Sequence, residues 1–180
     1  NKIILKNLQK LLYKVSINSI YGNTNILIEN LSYDSRKIKK NSIFFAIKGE
    51  SYNGFNYLNE SIKKGAIAII CNKIPKKIDK SLVYVIVENV EVSLGIISSN
   101  FYDNPSSKMK LIGITGTNGK TTSATLLYNL FKEHGLPVGL ISTISINYNK
   151  NVFKSDYTTP NPIKINSSLK SMIDEGISYC

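Results

Sequence analysis

Residues 113–122 read Gly-Ile-Thr-Gly-Thr-Asn-Gly-Lys-Thr-Thr, a set of types that can hold a triphosphate. Gly116 and Gly119 permit backbone angles and close approaches that a Cβ would block. Successive N–H groups in such a turn can converge on phosphate oxygens. A helix starting at the loop's end adds unpaired N–H groups and a favourable dipole. Lys120, the candidate catalytic residue, can neutralise the outer phosphates. The Thr121 hydroxyl suits the magnesium ion that travels with a nucleoside triphosphate. Thr117, Asn118 and Thr122 can add backbone or side-chain contacts, or be structural. One spacing departs from the usual phosphate loop, G-x-x-x-x-G-K-[ST], which would place glycine at 114; here Ile114 stands there and the glycines fall at 113, 116 and 119.

The flanks supply the elements that such a loop needs. Lys110-Leu111-Ile112 before it is strand-like, and the apolar spacing after it predicts a helix to about His134, with Gly135 beyond its end. Val138–Thr143 reads as the next strand. Residues 145–154 read as a hairpin turning between Asn147 and Asn151. Asn161 as cap and Pro162 at the first helical position predict a helix over 163–175, closed by Gly176.

Upstream, apolar spacing predicts an amphipathic helix over 3–15, and Tyr21–Asn25 reads as a turn. A strand through Ile26, Ile28 and Leu31 leads to Tyr33-Asp34-Ser35-Arg36. Strands follow at 43–47, 66–71 and 82–87. Helices are expected at 57–64, capped by Asn56, and at 91–102. Strands alternating with helices predict an α/β fold with a mainly parallel sheet. Turn formers at Asp103–Ser107 suggest a linker over 103–109, between a domain at 1–102 and a phosphate-loop domain at 110–180.

Composition narrows the function classes. The net charge of +11 invites a nucleic-acid reading, but the cations are scattered lysines with Arg36 the single arginine, and the tyrosines form no stacking array. A solvated basic surface that favours anionic ligands is the simpler account. The two cysteines and one histidine make no zinc constellation, and Cys71, inside an apolar run, reads as a buried thiol. No apolar run approaches membrane-spanning length and no signal peptide is visible, so a cytoplasmic protein is expected. The start at Asn1 and the stop just after a helix suggest a fragment.

Other candidates stay open on residue chemistry alone. Asp34-Ser35-Arg36 ends a strand, where ligand loops of α/β sheets gather, or is a plain turn capped by Asp34. Residues 49–54 form a polar loop. Thr158-Thr159 could donate to an anion, or be held extended by Pro160. His134 suits a helix C-terminus.

Taken together, Ile112–Thr122, Tyr33–Arg36 with 41–49, Asn53-Gly54 and 65–68, and Thr158–Pro162 resemble the Mur ligase family, and its branch that adds the third residue of the peptidoglycan stem peptide. The resemblance covers nearly the whole chain in order. It implies that Gly116, Thr117, Asn118, Gly119, Lys120, Thr121 and Thr122 bind ATP, with Thr121 on Mg2+. It implies an amino-terminal domain holding UDP-N-acetylmuramoyl-L-alanyl-D-glutamate, through the Tyr33 backbone and Ser35, with Gly49, Glu50, Ser51 and Tyr52 lining the site, and through Thr158 and Thr159. Tyr157 stands where some members have Asn, so no contact is carried onto it. The family's magnesium-binding Glu, modified lysine and carboxy-terminal domain lie beyond Cys180, so the chain alone is expected to be inactive.

The implied reaction is addition of a diamino acid to that substrate by way of an acyl phosphate. Meso-diaminopimelate is favoured, with L-lysine the alternative. The expected protein is a monomer that neither binds nucleic acid nor inserts into membranes. A folylpolyglutamate synthetase-like ligase would share the ATP loop but lack the Asp34-Ser35-Arg36 domain. A basic phosphate-loop NTPase acting on nucleic acid would need clustered arginines.

Overall fold

Short apolar runs punctuated by turn formers lay the chain out as two units, Asn1–Phe101 and Tyr102–Cys180. The computed structural model describes residues 4–49, 52–154 and 160–180. The first unit runs β1 (Lys6–Asn7), α1 (Leu8–Leu11), β2 (Ile17–Tyr21), β3 (Leu27–Ile28), β4 (Asn30–Ser32), β5 (Ser42–Phe45), α2 (Leu58–Lys63), β6 (Ala66–Cys71), β7 (Val83–Val87) and α3 (Val90–Phe101). Its sheet has the order β2-β7-β6-β5-β4, parallel from β4 through β7, with β2 antiparallel at the edge.

The burial explains why these strands read as continuous apolar runs: every residue of β5 and β7 is buried. Phe44, Ile69, Cys71, Tyr84 and Ile86 form one cluster with Leu58 and Ile62 of α2. Their strand neighbours point to the opposite face, and α3 lies against β6 and α1. Each fully buried large side chain contributes about 1.5–3 kcal/mol. Cys71 is a fully buried free thiol, pushed up to about 11 by that burial.

Three local expectations change, and the first is the strand expected through Ile26, Ile28 and Leu31, which forms as β3 and β4 in two different sheets. The helix expected over 3–15 is only α1, because Asn7 caps it by accepting from Gln9 N–H (2.9 Å) and Lys6-Asn7 pair with Leu27-Ile28 instead. Leu8 and Leu11 are buried, whereas Leu5 is 52% exposed. The helix expected from 57 is preceded by a 3-10 turn, Gly54–Tyr57, so the cap is Asn53, whose side chain accepts from Phe55 N–H, and not Asn56. Edge strand β2 carries no expectation above, since its burial is mixed and its apolar signal correspondingly weak.

The second unit runs from a 3-10 turn (Pro105–Lys108) through α4 (Lys120–Glu133), β8 (Gly139–Ile141), β9 (Ser145–Tyr148) and β10 (Asn151–Lys154) to α5 (Pro162–Asp174). Within the stretch expected as a linker, the 3-10 turn packs against α5. The hairpin β9–β10 forms as expected, with β8 antiparallel beside β9. Asn161 caps α5 by accepting from Lys164 N–H (3.0 Å), with Pro162 in the first turn. Glu175 accepts from Asn149 and Asn151, tying the hairpin turn to the end of α5. Residues 110–112 make strand-like bonds without forming a named strand: Lys110 and Ile112 N–H donate to Ser178 O (2.8 Å) and Cys180 O (2.9 Å), and Cys180 N–H returns to Lys110 O (3.0 Å). A small core gathers Ile146, Tyr148, Leu169, Met172 and Ile177.

Candidate functional site

The glycine loop enters α4 as its residue types require. The helical ladder begins at Ser123, whose N–H donates to Gly119 O (2.9 Å). The N–H groups of Lys120, Thr121 and Thr122 therefore lie outside it, at the positive end of the helix. Gly119 caps α4 at φ 77°, and a Cβ there would meet nothing within 4 Å. Glycine thus answers the backbone angle, and the space beside it stays open.

Lys120 folds back across the loop. Its Nζ donates to the carbonyls of Gly116 (2.5 Å) and Thr117 (3.3 Å). Thr117, Asn118 and Thr122 are exposed around it, and Thr121 is half-buried. Thr121 Oγ1 lies 3.1 Å from Thr143 Oγ1, with either able to donate. If Thr121 donates, its lone pairs remain for a cation. Among the described residues, no group of three or more His, Cys, Asp or Glu could hold a metal. The Thr121 hydroxyl is an oxygen donor of the kind that suits an ion carried in by phosphates.

A cleft of about 400 Å3 opens between α4, β8 and α5. Its lining joins Lys120, Thr121, Ser142 and Thr143 to apolar Ala124, Leu127, Leu140 and Ile165.

In the first unit the other candidates gather where parallel strands end. β4 and β5 are neighbours in register, Ser32 beside Phe44. Tyr33–Lys37 and the loop from Ala46 therefore leave the same carboxyl edge of the sheet, the usual ligand edge of α/β folds. Asp34 is the cap of the 3-10 turn Ser35–Lys37, accepting from Arg36 N–H (3.0 Å). Arg36 also grips its carboxylate through two bonds of 2.9 Å, holding Asp34 below the usual carboxylate range. Ser35 is 7% exposed, and its hydroxyl donates to Glu60 Oε2 (2.9 Å) on α2. Glu60 is drawn below its ordinary range first by Lys64 Nζ, 2.6 Å from Oε1, and then by Ser35.

Gly49 N–H donates to Tyr52 O (2.9 Å), and Tyr52 is 48% exposed. Gly54 is fixed by crowding: a Cβ there would lie 2.6 Å from Ile47 O. Glu50, Ser51, Thr158 and Thr159 fall outside the described residues.

Glu60 and Thr143 carry no site expectation from the sequence. Thr143 had a usable signal, since it follows β8 at a strand's carboxyl end. Glu60 had none: only packing of the 3-10 turn on α2 brings it to Ser35.

Two profiles match the chain: one described as Mur ligase family, catalytic domain, over residues 27–105, and one as Mur ligase middle domain, over 114–180. The UDP-N-acetylmuramoyl-L-alanyl-D-glutamate--2,6-diaminopimelate ligase of Cytophaga hutchinsonii is 41% identical over 174 residues, covering 96% of this chain and 36% of its own length. The enzyme of that name from Clostridium tetani is 42% identical over 177 residues, with the same shares. The chain thus spans about 36% of the length of these curated relatives. A solved structure of a ligase with the same name superposes with a TM-score of 0.77 at 18% identity, over 97% of this chain and 35% of that one. The MurF ligase of Thermotoga maritima in complex with ADP gives 0.53 at 25% identity, over 76% and 28%.

Proposed function

This chain belongs to the Mur ligase family, and we propose that it supplies the ATP and nucleotide-sugar sites of a ligase adding meso-diaminopimelate to UDP-N-acetylmuramoyl-L-alanyl-D-glutamate. The observation that carries this reading is the loop mouth, where Lys120 lies against the Gly116 and Thr117 carbonyls beside the open start of α4. Residues Gly116–Thr122 hold ATP in this reading, and Thr121 is the protein ligand of Mg2+, which screens phosphate charge when bound. Tyr33, Ser35 and the Gly49–Tyr52 loop hold the nucleotide-sugar, together with Thr158 and Thr159.

The reaction needs such a site because a carboxylate does not accept an amine: its oxide is a poor leaving group. Transfer of the γ-phosphoryl group to the D-glutamyl carboxylate gives an acyl phosphate. The amine then attacks the acyl carbon and phosphate departs. Lys120 and the α4 N–H groups contribute by holding the phosphates in line and neutralising their charge. Selection of the diamino acid is assigned to the part of the relatives' length that this chain does not span. In this reading the enzyme is a cytoplasmic monomer that does not bind nucleic acid. Among the described residues, no helix is long and apolar enough to cross a membrane.

Calorimetry on this chain tests both sites. It should bind MgATP, and UDP-N-acetylmuramoyl-L-alanyl-D-glutamate independently of it. In the complete ligase, phosphate release should require both that substrate and the diamino acid. ATP turnover stimulated by nucleic acid without that requirement would overturn the proposal.

A further inference from the structure

Glu60 reaches from α2 to the 3-10 turn that follows β4, and it governs the chemistry of Ser35. Glu60 Oε1 is taken by Lys64 at 2.6 Å, and Oε2 accepts the Ser35 hydroxyl at 2.9 Å. An ionised carboxylate has no proton to give, so the direction of the second bond is fixed: Ser35 donates. Lys64 and Ser35 both hold Glu60 ionised, below its ordinary range. A serine hydroxyl has a single proton, and here it is committed. What Ser35 Oγ can still offer a ligand is lone pairs. Ser35 as a whole is 7% exposed, so a ligand atom that reaches it must approach closely.

We propose that Glu60 is a positioning residue that makes Ser35 an obligate hydrogen-bond acceptor, so that the nucleotide-sugar must present an N–H or O–H donor to it. The inference rests on the reading of Ser35 as a nucleotide-sugar contact. Uridine diphosphate carries such donors in two places, the imide N3–H of the base and the ribose hydroxyls. A nucleotide with an acceptor at that point would leave two lone pairs facing each other beside a nearly buried oxygen.

The test is binding of UDP, 3-methyl-UDP, 2′-deoxy-UDP and 3′-deoxy-UDP to the whole 180-residue chain. One analogue should bind about tenfold more weakly than UDP, as expected when a buried acceptor loses its donor, and its identity tells base from ribose. Glu60→Ala should shrink that ratio, because the Ser35 hydroxyl is then no longer held and polarised as an acceptor and its bond to the donor weakens. Glu60→Gln, which keeps an acceptor oxygen, should restore part of it. Ser35→Ala should flatten the ratio as well, and it carries the test if Glu60→Ala fails to fold. A ratio undiminished in Glu60→Ala or in Ser35→Ala, or analogues that all match UDP in the parent chain, would overturn the inference alone. No measurable binding of UDP or of UDP-N-acetylmuramoyl-L-alanyl-D-glutamate would overturn the proposed nucleotide-sugar site, and this inference with it.

Discussion

Ser35 and Thr121 are both hydroxyls set beside the carboxyl ends of strands, but their partners differ. Ser35 donates to a carboxylate, and Thr121 faces a second hydroxyl, that of Thr143. The carboxylate fixes the direction of its bond, whereas a pair of hydroxyls can reverse. A fixed acceptor suits recognition of a neutral donor group. A reversible pair can turn its lone pairs toward a cation when one arrives and turn back when it leaves. The surroundings differ in the same sense. The sheet of the first unit is buried through β5 and β7, while α4 behind the phosphate loop has no buried residue. Ser35 is nearly buried, and the glycine loop is largely exposed.

Predictions that break or sharpen this comparison run from large effects to small ones. Lys120→Ala should weaken MgATP binding roughly a hundredfold, on the scale of losing a donor to concentrated negative charge. Calorimetry should show UDP binding unchanged in the same variant; loss of both would break the division between the two units. Gly54→Ala places a Cβ 2.6 Å from the Ile47 carbonyl. Overpacking against backbone should lower stability by about 1–3 kcal/mol in urea unfolding, and should weaken UDP binding more than MgATP binding.

Thr121→Val removes the proposed cation ligand, so magnesium-dependent ATP binding should fall about tenfold while metal-free binding changes less. Thr143→Val should have a smaller effect, since it removes only the hydroxyl partner. The smallest effect concerns acid stability. Arg36 lowers the folded pKa of Asp34, so the stabilisation is present above the unfolded value of about 3.9 and is lost as pH falls through the folded value. Arg36 is largely solvent-exposed, so the pair contributes only about 0.2–1 kcal/mol. Arg36→Gln should remove that much at pH 7, and its deficit relative to the parent should vanish once pH falls below the folded value.

Local chemistry determined a large part of this protein in advance. The buried strands, the α5 cap at Asn161, the left-handed glycine before α4 and the hairpin at Asn149 each follow from a few adjacent residues, and all form. The entry of the glycine loop into α4 belongs with them, because it is set by consecutive residues. Tertiary structure decided the rest. Apolar spacing over 3–15 could not reveal that Lys6-Asn7 would pair with a distant strand, nor could mixed burial announce β2 at the sheet edge. The polarity of Ser35 was beyond the sequence for the same reason: it is set by Glu60, 25 residues away, through packing of the 3-10 turn on α2. The glycine loop at 113–122 is legible because its geometry is written in neighbours, while the Ser35 site depends on a bond across a fold that neighbours do not specify.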